Sequence, residues 1–240
     1  MSAPAMHWSP DAPASPGPAL AIRPRFQLDD GEVQVWPPGA EPKGVDTLEE
    51  VRFGPGGEPV ALTLHVPQEL LFAWYWLEPF LSAPVVDAAP GAPPSGYFQV
   101  PIATHVHLDE EDDVLSAVRF DGSAAPPSDV LRARVAPDLE LLFGGGAYRG
   151  WMLHRATHHL AHAAVPETVG SPEADLPHLL GEFLQQTDRV HLPAILRKDP
   201  AQEERLRVLR RRLGFGGPAS AQRLAMRAVI DGVLARYFEA

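Results

Sequence analysis

Residues 139–165, LELLFGGGAYRGWMLHRATHHLAHAAV, decide how the chain is divided, because the spacing of apolar residues changes inside them. Leu139 to Phe143 is short, apolar and closed by Gly144-Gly145-Gly146, the pattern of a buried strand meeting a turn. Beyond the glycines, Trp151, His154, His158 and His162 recur at intervals of three and four, which predicts a helix over about Tyr148–Val165. The expectation is therefore an α+β chain, β-rich over residues 20–143 and helical over 147–239, with a His-rich helix at the junction.

Upstream of this stretch the sequence alternates. Leu20 to Leu28 and Glu32 to Trp36 read as strands around the turn residues Asp29-Asp30-Gly31, and Leu48 to Phe53 with Val60 to Val66 as a second hairpin around Gly54-Pro55-Gly56-Gly57. Pro67 suits the first turn of a helix running to about Phe80, apolar on every side. Tyr97 to Leu108 alternates as one strand, and an acidic turn, Asp109 to Asp113, leads into further strands at Val114 to Phe120, Val130 to Val135 and Leu139 to Phe143. Downstream, helices are expected over Leu176 to Thr187, from Asp199 as N-cap with Gln202 completing a capping box, and after Ser220. Together these predict an antiparallel sheet or partly closed barrel packed against a C-terminal helical layer, a single domain over residues 20–240. Residues 1–19, mostly Ala, Pro and Ser, are expected as a disordered leader.

Composition narrows the function classes. The 240 residues contain no cysteine, so thiol nucleophiles and thiolate ligands are excluded and any metal must be held by nitrogen and oxygen. A net charge of -11 argues against nucleic-acid binding. The arginines of the fourth-quarter helix, Arg205 to Arg212, follow Glu203 and Glu204 in the order that suits the helix dipole. The apolar run Leu70 to Leu77 is far shorter than the roughly 20 residues of a membrane span. A cytoplasmic protein without membrane or nucleic-acid partners is expected, and a homo-oligomer is compatible with all of this.

Four groups of residues could carry function. Phe72, Trp74, Tyr75, Trp76 and Tyr97 are the large aromatics that make binding hot spots, beside a Pro-rich stretch able to border a groove. His105-x-His107-x-Asp109 sits on a strand, where alternation sends both imidazoles to one side. With His154 or His158 completing it, such a set could hold iron or zinc. His105, His107 and Glu111 resemble part of the first cupin motif over residues 105–111, although the flanking glycines and a second motif are missing. The spacing from His154 to His158 and His159 is similar to one histidine box of the membrane desaturases, whose remaining boxes and spans the sequence lacks. Gly144-Gly145-Gly146 could present amides to an anion but ends in neither a P-loop lysine nor a dinucleotide fingerprint.

The reading this supports is a non-catalytic binding or accessory protein that holds a peptide or small molecule for partner enzymes, such as a precursor peptide of a peptide natural-product pathway. It requires no cofactor, and an acidic surface favours a basic or neutral partner. The alternative is a non-haem metal-dependent enzyme, oxygenase- or cupin-like, with His105, His107, Asp109, His154 and His158 as the ligand pool and iron or zinc as the metal.

Overall fold

The computed structural model describes residues 20, 22–37, 49–53, 59–71, 74–87, 96–100, 103–120, 129–166, 171–214 and 219–239. The expected leader and the turn Gly54-Pro55-Gly56-Gly57 lie outside them. The fold is α+β, with β-structure first and helices at the C-terminal end.

The chain opens with β1 (Arg25–Gln27) and β2 (Glu32–Val35), an antiparallel hairpin turned at Gly31, whose φ of 64° is the left-handed value glycine tolerates. A second hairpin follows, β3 (Glu49–Phe53) and β4 (Pro59–His65). The helix expected over 67–80 is confined to a 3-10 turn, Trp74–Trp76, and a single turn α1, Glu78–Leu81. Residues 66–71 instead run as an extended strap, in which the Leu71 amide donates to Val106 O and the Val106 amide to Glu69 O, both at 2.8 Å.

After β5 (Val85–Asp87), the strand expected over 97–108 is two strands, β6 (Gly96–Val100) and β7 (His105–Asp109), which belong to different sheets. Pro101, which lacks an amide to donate, falls between them. Next come β8 (Val114–Val118), β9 (Val130–Ala136) and β10 (Leu139–Gly144).

The largest departure from the sequence reading falls on the stretch that opened it. Residues 147–154 form β11 (Ala147–His154), not a helix, followed by a 3-10 turn Ala156–His159 and β12 (Leu160–Ala161). Gly145 and Gly146, with φ of 60° and 74°, make a two-residue hairpin turn between β10 and β11. The β-rich part therefore extends to Ala161, and the helical part begins at α2 (Leu176–Thr187). α3 (Leu192–Leu196), α4 (Pro200–Leu213) and α5 (Ala221–Tyr237) complete the chain.

Among the described residues the strands form two mixed six-stranded sheets, β12-β1-β2-β4-β3-β6 and β5-β9-β10-β11-β8-β7. One continuous core joins their facing sides to the helices, through Phe26, Val51 and Leu62 from the first sheet, Leu115, Leu141 and Trp151 from the second, and Leu180, Leu209 and Met226 from α2, α4 and α5. The other side of the second sheet has its own smaller core, where Trp76, Leu77 and Phe80 cover Val118, Leu142 and Met152. β11 is thus buried on both faces, which explains its unbroken Trp151-Met152-Leu153 run. Asp199 and Ser220 cap α4 and α5 as expected, accepting from the amides of Ala201 and Arg223. Gln202 forms no capping box. It is buried and donates to Gln186 O, tying α4 to α2.

Candidate functional site

A cleft of about 550 Å3 opens where the β1–β2 turn, the strap after β4 and the helices meet. Its position follows from backbone hydrogen bonds of the strap. The Val66 amide donates to Gly31 O at 2.7 Å, fixing the strap to the turn, and the Arg189 amide donates to Gln68 O at 2.8 Å, fixing the end of α2 to the strap. Bonded to β7 on its far side, the strap cannot collapse onto α5, so the space between them stays open.

The floor is apolar: Leu70 from the strap, Val106 from β7, Phe183 and Leu184 from α2, Ile195 from α3 and Val229 from α5. The rim is polar, with Asp29, Asp30, His65 and His162 on one side and Arg236 and Tyr237 on the other. Burial, then the charges of Asp29 and Glu32, push the Asp30 carboxyl above its usual range, and only His162 pulls the other way. His162 Nε2 lies 3.7 Å from Asp29 Oδ2, and His65 Nε2 lies 3.8 Å from Glu32 Oε1. Asp188, buried in the wall, accepts from the His191 amide and is 2.8 Å from His191 Nδ1.

A second cleft of about 450 Å3 lies across the strap and shares Leu70 and Asp188 with the first. Leu71, Phe120 and Val190 line it, with Glu69 held between His105 Nε2 at 3.4 Å and Arg189 NH1 at 3.0 Å.

Of the aromatic residues singled out in the sequence, Phe72 lies outside the described residues, as do the side chains of Trp74 and Tyr97. Trp76 is 1% exposed and packs between Phe80 and Phe120, while Tyr75 is 47% exposed. The histidines divide differently from the helical ladder expected of them. His105, His107 and Asp109 occupy alternate positions on β7, and the register places His107 beside Ser116 and Met152 and places Asp109 beside Val114 and His154. All four therefore share one face of the second sheet. His154 nevertheless stands two strands away, roughly 10 Å in backbone separation, and faces Glu140 with Nε2 3.3 Å from its carboxylate. Burial would raise Glu140, but His154, Arg132 and Arg134 outweigh it and hold the group below its usual range.

His158 follows Arg155, whose φ of 51° ends the strand, and does not share a face with His154. Among the described residues no group of three or more His, Asp or Glu is arranged to hold a metal ion.

Two polar clusters were not anticipated. Glu49, fully buried between the sheets, accepts from Tyr148 Oη at 2.7 Å and Trp151 Nε1 at 3.1 Å. Burial without a cationic partner pushes its carboxyl up to about 7. Second, three non-glycine residues with left-handed backbone, Asp113, Asp138 and Arg155, surround the 3-10 turn 156–159. Asp113 accepts from the Thr157 amide at 3.1 Å and hydroxyl at 2.7 Å, holding that turn from the turn between β7 and β8. His159 is buried with Nδ1 3.0 Å from Pro24 O and Nε2 3.1 Å from the Asp138 carboxylate.

The arginines of α4 are satisfied within the fold. Arg207 pairs with Glu203 and Glu239, Arg210 with Asp231, Arg211 with Glu204 and Arg212 with Glu182. No helix among the described residues is long and apolar enough to cross a membrane. Comparison with known proteins finds no matching family model, curated protein or solved structure.

Proposed function

We propose that this chain is a non-catalytic binding protein of the cytoplasm, which holds a peptide or small molecule in the cleft between the β1–β2 turn and α5, in an accessory role beside enzymes. The cleft itself carries the reading. At about 550 Å3 it is of ligand size. Its apolar residues are drawn from the strap, β7 and three helices, and most of its charged residues, Asp29, Asp30 and Arg236, come from the β1–β2 turn and the end of α5. That division suits a ligand with an apolar body and a solvated polar end.

Gly232 supplies the test. It lines the cleft, and a Cβ placed on it meets no atom within 4 Å, so larger side chains extend into the open space without disturbing the helix. The neutral dye Nile red is expected to bind the wild type and Gly232→Ala saturably. Gly232→Trp should weaken it by about tenfold or more, since the indole displaces the ligand volume. Absence of saturable binding, or binding indifferent to Gly232→Trp, overturns the proposal.

A further inference from the structure

Three features bear on what the cleft would hold. The two clefts meet at Leu70 and Asp188, on either side of a strap that backbone hydrogen bonds fix to Gly31, Val106 and Arg189. An occupant reaching both must therefore be extended and cross the strap. A compact small molecule fills one cleft only. Next, each cleft carries its own apolar groups: Phe183, Val229 and Ile195 in the first, Leu71, Phe120 and the 73%-exposed Val190 in the second. Last, the charged residues on the first cleft are Asp29, Asp30 and Asp188 against Arg236, whereas Glu69 and Arg189 at the second already pair with each other. Asp188 is engaged by His191. Among the described residues this leaves the adjacent carboxylates of Asp29 and Asp30 as the excess charge, with the histidine His162 beside them.

We infer that the ligand is an extended peptide segment in which a basic residue is flanked by apolar side chains, the base lying against Asp29 and Asp30 and the apolar groups entering the cleft on each side of the strap. The inference rests on the binding reading above and names the ligand class for the same site. Recognition works by charge complementarity at the rim and apolar burial below, the division by which charged groups set specificity while buried apolar groups supply affinity.

The test uses the whole chain and three blocked peptides, acetyl-Leu-Leu-Arg-Leu-Leu-amide and its citrulline and glutamate counterparts, titrated by calorimetry. The arginine peptide is expected to bind about fivefold more tightly than the citrulline peptide, the gain two rim carboxylates give, and the glutamate peptide most weakly. That preference should vanish in the Asp29→Asn, Asp30→Asn double variant and shrink in about 0.5 M salt. Val190→Asp should weaken the peptide several-fold and leave Nile red binding unchanged. Equal affinity for the arginine and citrulline peptides, a preference that survives in the double variant, or an indifferent Val190→Asp overturns the inference. If Nile red binds and Gly232→Trp blocks it while no peptide binds, the peptide inference falls and the binding reading stands. If neither ligand binds, both fall.

Discussion

Replacing Glu49 with glutamine should abolish the pH dependence that this one residue gives the fold. Its carboxyl is buried between the sheets with Tyr148 and Trp151 as donors, and its proton affinity rises from 4.5 to about 7. The native state thus binds the proton more tightly than the unfolded chain does. The stability it gives is fully present below the unfolded value, falls as pH rises through the native one and is absent above it. At roughly 1.4 kcal/mol per tenfold change in proton affinity, the wild type loses about 2 to 3 kcal/mol from this group between about pH 5 and pH 8. Glutamine keeps an oxygen for Trp151 Nε1 and an amide for Tyr148 Oη, mimicking the protonated acid at every pH. Urea unfolding followed by tryptophan fluorescence, at both pH values, should show Glu49→Gln gaining about 2 to 3 kcal/mol relative to wild type on going from pH 5 to pH 8. Parallel pH profiles for the two proteins would refute the claim that Glu49 is neutral in the native state and charged in the unfolded chain.

Other perturbations probe the turns and contacts that set the site. Gly150 has φ of 150°, and a Cβ there would stand 2.0 Å from Ala117 O, so Gly150→Ala should break the β8–β11 pairing and lower stability by about 3 kcal/mol or more in the same unfolding assay. Asp113→Ala loses the bonds to Thr157 and keeps the strained φ of 53°, for an expected loss of about 2 kcal/mol. Asp113→Gly relieves the strain and should lose less, which paired melting curves would show. The Glu110 carboxylate beside His178, helped by Glu182, raises the titration of that imidazole, so its contribution to stability is present at low pH and lost as pH rises through the raised value. Glu110→Gln should move the His178 midpoint, read by NMR, downward.

Much of the fold was legible because local chemistry and tertiary packing agree. The caps Asp199 and Ser220, the glycine turn at Gly31 and the apolar stripe of α5 mark elements whose ends the structure reproduces within a few residues. The junction misled for a physical reason. His154, His158 and His162 fall at helical spacing, but Trp151, Met152 and Leu153 are apolar in succession because opposite faces of one strand meet two different cores. Gly145-Gly146 was also a hairpin signal, overshadowed by the histidines that followed. For the site, Asp29-Asp30-Gly31 showed itself only as turn chemistry. Nothing in the local pattern says that a turn at residue 30 will border the C-terminal turn of α5, since that neighbourhood is made by the strap and by α2.

The parallel pairing of β1 with β12, which sets Phe26 opposite Leu160 and Gln27 opposite Ala161, also bears on how the chain assembles. The hairpins β1–β2, β3–β4 and β10–β11 need only nearby residues and can form as soon as they emerge. The outer edge of β1 must wait until residue 161 is available, and Arg23 and Pro24 wait likewise for His158 and His159. Closing so long a loop is slow, and until it closes β1 exposes unpaired amides and carbonyls. A chain halted before β12 would keep this edge open, so aggregation of nascent or truncated protein should begin at β1, and the two residues Leu160 and Ala161 act as its seal.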